Sequence, residues 1–137
     1  METHPYLFFN GRCDEAIEFY KAALGAKLEM LLRYKDCPEP PTAGPFPPQM
    51  LDRVMHAALR IGDSTVNLSD GQCTGDPVFS GFNLSVTVCS DADADRFITS
   101  LADGGKISMP PGRTFFSTRF GMVTDRFGMG WIVLVQG

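Results

Sequence analysis

The residues able to do chemistry concentrate in one stretch, Val54–Gly71, which reads VMHAALRIGDSTVNLSDG. His56 is one of only two histidines in the chain. Its unperturbed pKa near 6.5 suits proton transfer at neutral pH. Asn67, Ser69 and Asp70 add hydrogen-bonding groups within the same stretch, and Asn83 and Ser85 follow further on. Two alternating runs flank Gly62-Asp63, the pattern of a β-hairpin with a two-residue turn. That pairing sets Arg60 opposite Thr65, Ala58 opposite Asn67 and His56 opposite Ser69. Opposed residues share a face, so one face carries His56, Ala58, Arg60, Thr65, Asn67 and Ser69. The other carries Met55, Ala57, Leu59, Ile61, Val66 and Leu68, and needs a helix to cover it. Two roles are open to His56: a structural partner of Ser69, or a general base or substrate donor. Asp70 either orients it or starts a turn.

The elements that position this hairpin follow from the rest of the chain. Pro5–Asn10 is a short aromatic strand broken at Asn10-Gly11. Ala16, Ile17, Tyr20, Ala23 and Leu24 repeat at the spacing of one helical face, giving a helix over Asp14–Leu24 with Gly25 as its exit. Lys27–Tyr34 has the length of a strand. Residues 37–49 hold six of the ten prolines, which excludes regular structure and gives a long loop, either a surface loop or a lid. Phe82–Val88 alternates as a strand. Ser90 with Asp93 opens a second helix whose buried stripe is Ala94, Phe97, Ile98 and Leu101. Lys106–Met109, Thr114–Thr124 and Trp131–Val135 are the remaining strands, with Pro110–Gly112 a loop. The order is β-α-β-β-β twice. Phe19 aligns with Phe97, Lys27 with Lys106, and Val66-Asn67-Leu68 with Ile132-Val133-Leu134. The fold class is therefore α+β: one domain over 1–137, built of two βαβββ modules at about 4–71 and 79–136.

Composition narrows the function. A formal net charge of −4 and a pI near 5.0 give no basic footprint for nucleic acid. No Lys/Arg run suggests a membrane surface, and no apolar run approaches a membrane span. The four cysteines, Cys13, Cys37, Cys73 and Cys89, form no C-x-x-C, and METHPYLFF is not a signal peptide. Reduced thiols and a cytoplasmic location are expected. Cys13, near a helix N-terminus, is the one thiol placed for a lowered pKa, but it has no partner base. There is no Gly-rich turn after the first strand and no G-x-x-x-x-G-K-S/T, so S-adenosylmethionine-dependent methyl transfer and phosphate-loop chemistry are not expected.

Three segments, PYLFFNGRCDEAIEFYKAALGAK, HAALRIGDSTVNLSD and FGMVTDRFGMGWIV, make the chain similar to the vicinal oxygen chelate superfamily, the glyoxalase / bleomycin-resistance / extradiol-dioxygenase fold. Within it, the chain resembles the PhnB-like branch, often labelled demethylubiquinone methyltransferase-like. The resemblance implies a curved mixed sheet with a cleft, helices on the outer face, and a homodimer. It places the metal-ligand slots of metal-using members on Pro5, Asn67, Asn83 and Val133. Pro and Val cannot ligate through a side chain and neutral amides are weak ligands, so no cofactor is expected. A divalent metal stays possible only through other residues, such as His4 after a one-residue slip. The same slots put the His56–Asn67 face on the inside of the cleft, together with Phe9, Ser69, Asn83 and Ser85. If the last hairpin pairs like the first, Met122 and Trp131 join them. That mixture of polar and aromatic groups suits a small organic ligand. The expected function is small-molecule binding with His56 as the catalytic candidate; the alternative is a metal-dependent lyase, isomerase or dioxygenase.

Overall fold

The computed structural model describes residues 1–38, 46–71 and 75–136. Among these residues eight strands form two four-stranded mixed sheets, each with one helix. The chain divides into two compact units, Met1–Pro77 and Val78–Gly137.

The first unit runs β1 (Tyr6–Phe8), α1 (Cys13–Leu24), β2 (Lys27–Arg33), β3 (Val54–Ile61) and β4 (Ser64–Ser69). Its strand order is β1-β4-β3-β2, with β1 parallel to β4 and the other pairs antiparallel. The hairpin β3–β4 pairs as expected, from Ile61 opposite Ser64 to Ala58 opposite Asn67. A positive φ of 59° at Gly62 is what the first position of a type II′ hairpin turn requires. Helix α1 lies on β2 and β3. It buries Ala16, Ile17, Phe19, Tyr20, Ala23 and Leu24, in a core with Leu7, Phe9, Val54, Ala57, Leu59 and Leu68.

The second unit repeats this plan with β5 (Leu84–Val88), α2 (Asp91–Leu101), β6 (Lys106–Gly112), β7 (Phe120–Thr124) and β8 (Gly130–Val135), ordered β5-β8-β7-β6. Ser90 caps α2 by accepting the Asp93 backbone N–H at 3.1 Å. Ala94, Ile98 and Leu101 are buried, whereas Phe97 is half-buried with Arg96 over its ring. Strand β6 continues through Pro110-Pro111 instead of stopping at Met109. It is an edge strand, where missing N–H donors are tolerated, and its register shifts between Met109 and Gly112, across the two prolines. Conversely, the strand expected from Thr114 begins only at Phe120. Ser117 is buried, and its hydroxyl serves the backbone of Arg119 and Val135.

The proline-rich insert is described only at its ends. Tyr34–Asp36 and Pro48–Met50 form short 3-10 turns, and the edge of Phe46 packs on the Tyr34 ring at 4.8 Å. The lid expected of 37–49 rests on residues 39–45, which lie outside the described residues.

Candidate functional site

Helix α1 covers one face of the first sheet, so the opposite face is where its polar side chains stand. Register and alternation place Tyr6, Phe8, Met30, Leu32, His56, Ala58, Arg60, Thr65 and Asn67 there. His56 and Asn67 are half-buried. The Tyr6 hydroxyl lies 2.8 Å from His56 Nδ1. The Tyr6 ring stacks on Phe8 at 5.1 Å and tilts against the His56 ring at 5.5 Å. Burial, reinforced by Tyr34 nearby, raises the Tyr6 pKa, so the phenol is neutral at physiological pH. Arg60 and Glu29 pair at 3.2 Å, both partly exposed.

A bulge aims His56. On the β2 side, Leu32 stands opposite His56 but Arg33 stands opposite Val54. On the β4 side, Ala57 stands opposite Leu68, while Asp70 N–H donates to the Val54 carbonyl at 2.8 Å. Both neighbours therefore find one extra residue, Met55, in β3. A bulge of this kind reverses the alternation beyond it. Val54 turns into the core, fully buried, while His56 keeps the uncovered face.

The bulge also corrects the expected His56–Ser69 partnership. Ser69 is buried; its hydroxyl donates to the Met55 carbonyl at 2.7 Å and accepts the Gly71 N–H at 2.9 Å. Asp70 does not orient His56 either. Its Oδ1 accepts the N–H groups of Gly11 and Cys13 at 2.7 and 3.0 Å, and its Oδ2 that of Val54 at 3.0 Å. This carboxylate fills the N-terminus of α1, where unpaired N–H groups favour negative charge. Beside it, burial and the charges of Asp70 and Asp14 push the Cys13 thiol far up, the reverse of an activated cysteine.

Phe9 was expected on the His56 face and is instead in the core, 0% exposed, with its ring against Tyr20. Tyr6 pairs with Asn67 and Leu7 with Leu68, so the parity of β1 is one residue off the expectation. Tyr6 and Phe8 take the face expected of Phe9. Tyr6 is the residue that sequence reasoning missed. PYLFF carries large apolar groups on both faces, so alternation could not choose between them. The usable signal was the hydroxyl, which a half-buried tyrosine pairs.

In the second unit α2 packs against β7 and β8, and the Ile98 side chain sits directly against Gly121. Met122 therefore faces away from the helix, opposite Ile132. Ser85 shares that face, also opposite Ile132. The Asn83 amide lies against Gly130, where any side chain would collide with it. Trp131 is a correction. Met122 pairs with Ile132 and Val123 with Trp131, an odd shift from the expected register that sends Trp131 to the core side, 1% exposed. The cause is the turn. Asp125 N–H bonds the Met129 carbonyl at 2.9 Å, enclosing three residues that end in Gly128 at φ 88°, rather than a two-residue turn. Asp125 organises it, accepting Phe127 and Met129 N–H on Oδ1 and the Trp131 indole N–H on Oδ2 at 2.8 Å. The slot expected at Val133 is likewise in the core.

These observations test the fit of a divalent ion. Among the described residues, no three of His, Cys, Asp and Glu converge. On the first sheet's uncovered face the donors are one imidazole with Nδ1 engaged by Tyr6, one neutral amide, and Glu29, already paired with Arg60. Divalent ions need several N or O ligands at one point, and this set does not supply them.

The family model for the Glyoxalase/Bleomycin resistance protein/Dioxygenase superfamily matches residues 3–133. The chain belongs to this superfamily. Among its relatives, Protein YjdN of Escherichia coli (strain K12) is 34% identical over 98% of this chain and 95% of its own length. Protein PA1353 from Pseudomonas aeruginosa is 39% identical, with a TM-score of 0.83 over 99% of this chain and 98% of that one. A PhnB protein from Bacillus cereus, which carries a 3-demethylubiquinone-9 3-methyltransferase name, is 25% identical with a TM-score of 0.78, covering 98% and 99%. The superfamily fold does not by itself assign a reaction, because one scaffold hosts many. No described helix is long and apolar enough to cross a membrane.

Proposed function

We propose that this glyoxalase-superfamily protein is a PhnB-like binder of a small organic molecule. The ligand lies on the uncovered face of the first sheet, with His56, held by Tyr6, as its polar contact and no resident metal. One observation carries the reading: the 2.8 Å Tyr6–His56 hydrogen bond on a half-exposed face that also presents Asn67. A paired imidazole is held in one orientation, which is what a ligand contact or a proton-transfer group requires. The poor donor set for a divalent ion supports the metal-free part. Methyl transfer is left out because Asp70 fills the α1 N-terminus and neither sheet is the parallel, doubly wound kind that holds such cofactors. The proposal extends to a homodimer in the cytoplasm.

The test pairs a ligand-observed NMR screen of small organic molecules with His56→Gln. The expected result is a folded variant whose hits weaken about tenfold, the cost of one lost hydrogen bond in a partly shielded site. Loss of folding would make His56 structural. Metal analysis, with thermal shifts against Ni, Zn, Mn and Fe, is expected to show neither a stoichiometric ion nor stabilisation. One equivalent of tightly held metal would overturn the metal-free reading in favour of a metal-dependent lyase, isomerase or dioxygenase.

A further inference from the structure

We infer that the ligand of this face is a planar aromatic molecule whose oxygen acceptor meets an N–H on His56 Nε2. The inference rests on the binding role proposed above and names the chemical class of the ligand.

The Tyr6–His56 pair fixes the hydrogen-bonding character of the face. A phenol is a stronger donor than acceptor, and an imidazole nitrogen without hydrogen is a good acceptor. The 2.8 Å contact is therefore best satisfied by the Tyr6 O–H donating to Nδ1. The neutral ring then carries its hydrogen on Nε2. Tyr6 thus acts as a positioning residue, making His56 a hydrogen-bond donor toward the ligand. Among the described residues no carboxylate partners the ring: Asp70 is committed to three backbone N–H groups and Glu29 to Arg60. The face accordingly calls for an acceptor on the ligand, such as a carbonyl or ether oxygen.

The surroundings specify the rest of the molecule. Tyr6 and Phe8 stack with their planes only 19° apart, and Tyr6 remains 43% exposed. Met30 lies on the same face, 45% exposed, and offers a polarizable thioether to a ring. Flat apolar groups beside the His56 donor favour an aromatic ring over a saturated one, since each ring contact adds to simple area burial.

The experiment uses the full chain carrying His4→Gln, which leaves His56 as its sole histidine. Long-range 1H–15N spectra at a pH where the ring is neutral report which nitrogen lacks hydrogen. Nδ1 is expected, and Tyr6→Phe should return the ring to a tautomer mixture. Acetophenone, cyclohexyl methyl ketone and ethylbenzene are then titrated in parallel. Acetophenone is expected to bind about tenfold more tightly than either of the others, which lack the ring and the acceptor respectively. An unprotonated Nε2, or equal binding of the saturated ketone, would overturn the inference while leaving a binding site in place. Failure of the binding role itself looks different: none of the three molecules would perturb Tyr6, His56 or Asn67.

Discussion

The two units share strand order, strand direction and the side on which the helix packs, yet their uncovered faces differ. The first presents Tyr6, His56, Asn67 and the Arg60–Glu29 pair. The second presents Ser85, Thr87, Met122, Ile132 and Leu134. Scaffold positions are repeated and the polar side chains are not, so the duplicated module keeps its core pattern while its uncovered face changes character. The buried aspartates differ in the same spirit. Asp70 ties β4 to the start of α1 and to β3, whereas Asp125 serves the residues of its own turn and the adjacent Trp131.

Substitutions probe the difference between the two units. Trp131→Ala should destabilise by about 3–5 kcal/mol, as expected for emptying a packed core position, when followed by denaturant unfolding. A small effect would restore Trp131 to a ligand-facing role. Asp70→Ala removes the acceptor of three backbone donors from segments far apart in the chain and should cost about 3 kcal/mol, more than Asp125→Ala at about 2 kcal/mol, because the latter's buried donors all lie within the next few residues, where a single turn can relax around the loss. Equal losses would erase the distinction between a long-range and a local carboxylate. Tyr6→Phe should change stability by less than about 1 kcal/mol while weakening ligand binding; a large stability loss would make the pair a structural one.

The smallest effect is expected at the Asp14–Arg33 fork, with both contacts at 2.9 Å. The hydrogen bond from Arg33 lowers the Asp14 pKa. Its contribution is complete above the ordinary carboxylate range and lost as pH falls through the lowered value. The Asp14 side chain is 55% exposed, so solvent screening limits the contribution to about 1 kcal/mol at most. Acid titration of stability in Asp14→Asn against the parent chain measures it.

The repeat, both helices and the first hairpin were legible because each has a local cause. Periodicity marks α1, a serine cap marks α2, and Gly62-Asp63 fixes the hairpin register. The misplaced residues trace to signals that are not local. Asp125 sets the second turn through its side chain, which no spacing rule reveals, and that moved Trp131 by an odd step. The Met55 bulge satisfies two neighbouring strands at once, and its effect on Ser69 depends on both. Strand β1 is too short and too aromatic for alternation to separate Tyr6 and Phe8 from Leu7 and Phe9. The polar identity of the His56–Asn67 face survived all three, because it depends only on the hairpin.

That face is the centre of the account, and chemical-shift mapping on isotope-labelled protein tests it most directly. Titration with acetophenone should shift Tyr6, Phe8, His56 and Asn67, and His56→Gln should weaken the response about tenfold. A shift pattern that bypasses these four residues, or one that His56→Gln leaves unchanged, would contradict it.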